Sequence, residues 1–324
     1  MLVSVLLFAV GLVLLIKGGD WFVDGAVGIA KRFNLPDIVV GATVVSIGTT
    51  LPEVMVSTTG ALAGSGAMAY GNAIGSIICN TALIAAISIV CNPGPVNVKS
   101  MKTPAIFFFC SAALYCLAAY GLGTFPRWMG FVMLAIFVAY TLLTVRNGMK
   151  NPDAAEEEEE EGGKPKKLWQ ELLLLVIGAA VIAVGADLLV DHGQVIAIEL
   201  GVPETVVALL FVALGTSLPE LVTTITSLKK GRASLGVGNV IGANVFNLVL
   251  VSGVAVSLAP FDVPVENTLL NTGLNLSLVF DIPVMLGVMA LMIFPALLGK
   301  KLSRWQGVAL LAIYVGFCVC QFML

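Results

Sequence analysis

Charge is scarce in this chain. Only 11% of its 324 residues are Asp, Glu, Lys or Arg, where a soluble domain carries about a quarter. With 58% apolar residues and a mean hydropathy of +1.01, an ordinary soluble protein is excluded, and apolar runs long enough to cross a bilayer are expected. Histidine occurs once, at His192 beside the membrane interface, and is read as a core or surface residue. The six cysteines (Cys79, Cys91, Cys110, Cys116, Cys318, Cys320) form no CxxC and no Cys/His spacing. A metal centre built on thiolate or imidazole is thereby excluded, and the cysteines are read as small buried hydrophobes. The net charge of −3 says little, because Asp153 and Glu156 to Glu161 put seven acids in one short segment. No nucleic-acid partner is expected. A basic region is also missing ahead of the apolar start, so the first residues read as a retained helix rather than a signal peptide.

What is present is a series of long apolar runs. Ten helices are expected at about 2–30, 36–62, 68–91, 104–121, 127–147, 168–198, 203–228, 234–258, 281–299 and 303–323. Between the fifth and sixth lies NGMKNPDAAEEEEEEGGKPKK. Its Glu run, glycines and prolines cannot bury a core, so it reads as a flexible linker of solvated charge. Fifteen Lys and Arg fall in one set of loops, only Arg127 in the opposite set, and Lys17 inside the first helix. The basic loops are then cytosolic, and both termini lie outside.

The chain also repeats itself. Shifted by 167, residues 18–80 align with 185–247 without a gap, with 22 identities in 63 positions. Five helices per half is an odd number, so the second half must cross in the opposite sense, as in many secondary transporters. The fold class expected is therefore all-α and integral to the membrane. Ten transmembrane helices form two inverted five-helix repeats, residues 1–147 and 168–324, joined by the acidic cytosolic linker 148–167.

Within the repeat, GTTLPE at 48–53 recurs as GTSLPE at 215–220. A carboxylate at mid-bilayer costs about 2.5–3.5 kcal/mol on insertion scales and marks a functional site by default. Pro52 and Pro219 lack an N–H, which frees the carbonyls of Gly48 and Gly215. Freed carbonyls at membrane depth are tolerated where they line a cavity or bind a cation. Thr49, Thr50 and Glu53 share one helix face, as do Thr216, Ser217 and Glu220. The second motif is GNAIGSIICN at 71–80, mirrored by GNVIGANVFN at 238–247. Gly71 and Gly75 suit close helix packing. Ser76 and Asn80 put a hydroxyl and an amide on one face; Asn247 repeats the amide, whereas Ala243 lacks the hydroxyl. The donors are all oxygens, which hard cations prefer. Two bidentate carboxylates and two freed carbonyls supply six oxygens, the low end of the ~6–8 that Ca²⁺ takes.

These paired motifs resemble the two alpha-repeats of the sodium/calcium exchanger family, of prokaryotic type, within the cation/calcium antiporter superfamily. The likeness spans the whole chain, including DWFVDGA at 20–26. It implies Ca²⁺/Na⁺ antiport by alternating access, with the first and sixth helices sliding over a four-helix core. By motif position it implies Glu53, Glu220, Thr49 and Thr216 as calcium ligands, the threonines through backbone carbonyls. Thr50, Ser217, Ser76, Asn80 and Asn247, with the carbonyls of Ser46 and Ala213, would line the sodium and central sites. No cofactor is implied beyond the transported Ca²⁺ and Na⁺. The expected setting is the plasma membrane, with the lipid bilayer and the ions as partners and a monomeric chain. Asn247 stands where potassium-dependent relatives carry Asp, so potassium transport is not expected; Ala243 departs from the usual Ser. Calcium/proton antiport through the same Glu pair is the alternative. Asp20, Asp24, Asp187 and Asp191 are read as interfacial structural residues, and Asp281 as the N-cap of the ninth helix.

Overall fold

A computed structural model describes residues 2–150, 167–199, 215–264 and 275–323. The chain is an all-α membrane protein. Its helices are α1 (Leu2–Arg32), α2 (Asp37–Thr49), α3 (Leu51–Leu62), α4 (Gly66–Cys91), α5 (Val98–Leu122), α6 (Arg127–Met149), α7 (Leu168–Glu199), α8 (Leu218–Lys229), α9 (Ala233–Leu258), α10 (Ser277–Gly299) and α11 (Arg304–Met323). Among the described residues, eight helices are long and apolar enough to span a membrane. The bent pair α2–α3 makes a ninth span, and α8 is too short alone. The helix expected at 203–228 is described only from its last part, α8, and most of the linker 148–167 lies outside the described residues.

Two ends of the expected map shift for a physical reason. The fourth helix starts at Val98, not near 104, because the Asn97 side chain accepts the N–H groups of Lys99 and Ser100 at 3.0 and 3.2 Å; that cap outweighs Pro104, which sits inside the helix. Asp281 is not an N-cap. The helix already begins at Ser277, and Asp281 closes its π-helical opening turn, accepting a hydrogen bond from Gln321 of α11 at 2.6 Å. The cysteines also depart from expectation: only Cys79 is buried, while Cys91 and Cys110 are exposed. A lipid-facing surface accepts a small apolar side chain as readily as a core does.

The centre of the molecule is α4 and α9. Their most apolar windows are 72% and 83% buried, against 22% for α1 and α7, which lie outside them. Two short strand pairs tie the ends. Gly94–Pro95 (β1) pairs antiparallel with Lys301–Leu302 (β4), and Thr124–Phe125 (β2) with Phe261–Asp262 (β3). Since α5 runs from β1 to β2, the two pairs sit at opposite ends of that helix.

Helices α1 and α7 lie antiparallel in close contact along a seam of glycines seven residues apart. A Cβ at Gly18 would lie 3.1 Å from the Gly178 carbonyl oxygen, one at Gly11 2.9 Å from that of Gly185, and one at Gly25 2.6 Å from that of Glu171. Backbones this close gain van der Waals contact in lipid, where hydrophobic driving force is missing. The seam ends in a bond from Arg32 Nε to Glu171 Oε2 of 2.9 Å. Gly18→Leu should therefore destabilise the protein by about 1–3 kcal/mol or more through overpacking, whereas Gly316→Leu on α11, with nothing within 4 Å, should be tolerated. Melting temperature and size-exclusion profiles of the purified variants check this; equal behaviour would refute the seam.

Candidate functional site

The site grows from two matching breaks. α2 stops at Thr49 and α3 starts at Leu51, bent by 45° at Thr50. Thr50 has φ −84° and ψ −3°, and Ser217, its counterpart 167 residues on, has φ −92° and ψ 3°. Pro52 and Pro219 fall in the first turn of α3 and α8, where a missing N–H is harmless. The break thus sits just before each proline, and each glutamate lies in the first turn of a new helix, whose N-terminal dipole favours a carboxylate. The motif glycines give room for crossing helices: a Cβ at Gly48 would lie 2.8 Å from Phe22 Cζ of α1, and one at Gly215 2.9 Å from Val190 Cγ2 of α7.

The second motif supplies two further irregularities. A π-helical segment begins at Asn80 in α4, and another at Asn247 in α9. Such bulges recur at functional sites because they redirect side chains and loosen carbonyls; Ser252 Oγ donates to the Asn247 carbonyl at 2.9 Å. The Asn80 segment packs against α8, and the Asn247 segment against α3. Each asparagine's segment therefore meets the helix carrying the other half's glutamate.

Hydrogen bonds then cross between the halves. Thr49 Oγ1 donates to Asn239 Oδ1 at 3.1 Å, and Thr216 Oγ1 to Asn72 Oδ1 at 3.4 Å. Thr50 Oγ1 lies 3.5 Å from Glu220 Oε1. Asn72 Nδ2 also donates to Ser57 Oγ at 2.8 Å and the Glu53 carbonyl at 3.3 Å. Ser46 Oγ donates to the Gly41 carbonyl at 2.7 Å and lies 2.9 Å from the Asn239 carbonyl, while its own carbonyl accepts the Thr50 N–H at 3.0 Å. Asn72 and Asn239 were visible in the sequence as in-register repeats, but nothing there showed that they accept from Thr216 and Thr49. Close approach of α2 to α9 rests on the same motif: a Cβ at Gly242 would lie 2.6 Å from Ala42 Cα.

Thr49, Thr50, Glu53, Asn80, Ser217, Glu220 and Asn247 are all buried, with Ser46 and Ser76; Thr216 is half-buried. Ala243 is fully buried and adds no oxygen. Ala213 lies outside the described residues. Eight of the eighteen buried polar side-chain atoms without a hydrogen-bond partner among the described residues belong to Glu53, Asn80, Ser217, Glu220 and Asn247. Both Glu53 oxygens are among them. No salt bridge reaches either glutamate among the described residues: Arg32 takes Glu171, Lys230 takes Asp20 and Asp24, and Arg232 takes Asp37. Buried charge persists when paired or bound to a metal. The donors here are carboxylate, amide and hydroxyl oxygens, which suit a hard cation.

The model of the sodium/calcium exchanger protein family matches residues 3–146 and 171–323. The chain belongs to the sodium/calcium exchanger family. It is 30% identical over 355 aligned residues to the sodium/calcium exchanger MaX1 of Methanosarcina acetivorans, covering 99% of each chain. To an uncharacterised membrane protein of Methanocaldococcus jannaschii it is 33% identical, covering 95% of this chain and 94% of the other. A solved structure of the sodium-calcium exchanger NCX_Mj, soaked with Na⁺ and Sr²⁺, superposes with a TM-score of 0.78 at 33% identity, covering 97% of each chain. The protein is accordingly a transporter and not an enzyme. If the unpaired carboxylates hold the cation, Glu53→Gln and Glu220→Gln each weaken Ca²⁺ binding by roughly 30-fold or more, the worth of about 2 kcal/mol, without loss of folded protein. Calcium titration and size-exclusion chromatography of the purified variants check it; near-normal affinity in either would remove that residue from the site.

Proposed function

We propose that the protein exchanges Ca²⁺ for Na⁺ across the plasma membrane through one central site that faces each side in turn. The carrying observation is the pair of buried glutamates without a basic partner among the described residues, surrounded by neutral oxygens from both halves. One Ca²⁺ balances two carboxylates; Na⁺ ions do the same in larger number with help from amides and hydroxyls. Ca²⁺ and Na⁺ then compete for shared oxygens, and the unloaded site's exposed charge opposes a change of face, which couples the fluxes. Glu53, Glu220 and the carbonyls of Thr49 and Thr216 serve Ca²⁺. Ser46, Thr50, Ser76, Asn80, Ala213, Ser217 and Asn247 line the sodium positions. The ligands of both halves come from one chain, which supports a monomeric transporter.

The ten-helix, two-repeat reading has support in the strand ends. Val96 donates to the Lys300 carbonyl at 3.0 Å beside β1, and Val263, 167 residues on, donates to the Gly123 carbonyl at 2.9 Å beside β3. Equivalent residues thus do the same work at opposite ends of α5, as an inverted repeat requires. With the basic loops cytosolic, the Lys229–Arg232 end of α8 faces the cytosol and both termini face outward.

Calcium/proton exchange is the second reading, because a protonated acid is the other form in which an unpaired buried glutamate persists. Uptake of ⁴⁵Ca²⁺ into proteoliposomes under outward Na⁺ or H⁺ gradients separates them. The expected result is uptake driven by Na⁺, unchanged when choline replaces K⁺, since Asn247 adds no third carboxylate. Uptake driven by H⁺ alone would install the proton reading, and dependence on K⁺ would overturn the cation assignment. Ala243→Ser restores a hydroxyl one turn before Asn247. It is expected to lower the Na⁺ concentration for half-maximal exchange roughly 2- to 10-fold, the worth of about 0.5–1.5 kcal/mol; superimposable Na⁺ titrations would show the hydroxyl irrelevant.

A further inference from the structure

The repeat builds the same corner twice, at opposite ends of α5. Gly123–Thr124–Phe125–Pro126–Arg127–Trp128 leads from α5 into α6, and Lys300–Lys301–Leu302–Ser303–Arg304–Trp305 leads from α10 into α11. The backbones match. Gly123 and Lys300 are both left-handed, at φ 69° and 54°. Thr124–Phe125 and Lys301–Leu302 are the strands β2 and β4, and Phe125 and Leu302 are both buried. An arginine and a tryptophan then open the next helix.

The side chains do not match. Glycine is the easy residue for a left-handed turn after a helix, and α5 ends on one. After α10 the same turn holds Lys300, one of two non-glycine residues with positive φ among the described residues, at a cost in backbone strain. Lys301 stands where the other corner has Thr124. Arg127 is engaged, donating to the Leu258 carbonyl at 3.1 Å, and Asp262 lies opposite Thr124. At the lysine corner Pro95 lies opposite Lys301. Among the described residues no ion pair or hydrogen bond engages the side chain of Lys300, Lys301 or Arg304. All three are exposed around an open groove of about 540 Å³, lined also by Pro93, Gly94 and Pro95. A loop that only sets orientation needs positive charge anywhere along it; it does not need that charge in the left-handed position.

The groove lies between two membrane spans, where α10 ends and α11 begins. The apolar side chains beside it are bare: Leu298 is 85% exposed, Trp305 56% and Val308 58%. Val308 is one turn along from Arg304, on the same face of α11. A ligand that fits carries negative charge at the groove and hydrocarbon along the helix. We propose that Lys300, Lys301 and Arg304 bind the phosphate of an anionic phospholipid whose acyl chains run past Trp305 and Val308. Arg304 offers the phosphate a paired N–H fork and the lysines add charge, while a tryptophan is at home among headgroups. Basic pockets between membrane helices hold lipid headgroups in this way. The lipid is thereby fastened to the central helices: a Cβ at Gly307 of α11 would lie 2.8 Å from the Ala86 carbonyl oxygen and 3.1 Å from the Val90 nitrogen of α4. The site needs only that α10 and α11 cross a membrane, and not the exchange reading.

The test titrates the purified full-length protein with phosphatidylglycerol and, separately, with phosphatidylcholine of the same chain length, and counts bound lipid by native mass spectrometry. Phosphatidylglycerol is expected to bind more tightly. It loses roughly 5-fold in affinity for each charge removed by Lys301→Gln, Arg304→Gln and Lys300→Gly, while phosphatidylcholine stays within about 2-fold. Lys150→Gln, at another exposed lysine, changes neither. Lys300→Gly separates binding from packing: without lipid its melting temperature is equal or higher, because glycine relieves the left-handed turn. Phosphatidylglycerol affinity that survives loss of all three charges overturns the site. So does Lys150→Gln weakening it as much as a corner charge, which marks a diffuse field. A melting temperature lowered by Lys300→Gly takes that lysine out of the site. Binding gained only when Glu156 to Glu161 are replaced by Gln shows that the chain's own acids occupy the lysines, and overturns the lipid.

Discussion

Two carboxylates buried without a basic partner among the described residues are the constraint that organises this molecule. In so apolar a chain a buried carboxyl group persists only if it is protonated, paired or bound to a cation. Neutral oxygens gather around Glu53 and Glu220 from both halves, and no lysine or arginine among the described residues reaches either. Lys230, Arg32 and Arg232 are instead spent at the helix ends, on Asp20, Asp24, Glu171 and Asp37. These cationic side chains sit at helix ends, and the centre keeps its carboxylates without them.

Holding such a site demands irregular backbone, and the fold confines irregularity to places where packing supports it. The breaks at Thr50 and Ser217 precede prolines that sit harmlessly in the next first turn. The π-helical turns at Asn80 and Asn247 lie in the two most buried helices, where neighbours limit how far a loosened backbone can stray. Asn72 and Asn239 brace the breaks from the other half by accepting Thr216 and Thr49. The bracing is reciprocal: each half supplies the asparagine that accepts from the other half's threonine.

The same repeat also permits asymmetry. α1 is fastened to α8 by Gly19 and by Lys230, whereas the equivalent positions on α3 are exposed. An inverted repeat built from identical halves would have two equivalent covers. Here the two differ in side chains, while the glycine seam between α1 and α7 holds the outer pair together.

Much of this was legible beforehand because membrane physics is severe. A chain so poor in charge can only cross a bilayer, and a proline and glutamate repeated in register 167 residues apart cannot be an accident of apolar composition. That argument singled out Glu53, Glu220, Asn80 and Asn247, which the structure buries, and placed the threonines on the face of each glutamate. The helix starts at Val98 and Ser277 could not be, because Asn97 as a cap and a π-helical opening turn compete locally with prolines whose signal looks stronger. The bonds of Asn72 and Asn239 were hidden for another reason. Spacing along one helix shows which residues share a face, but not which helix from the other half lies opposite. Donor and acceptor here are separated by 144 and 190 residues. Sequence by itself determined the medium, the internal repeat of the chain and which carboxylates stand inside it, since these follow from composition and register. Only the tertiary structure decided which oxygens are already engaged and which are left unpartnered, because a hydrogen bond depends on positions that two distant helices reach together.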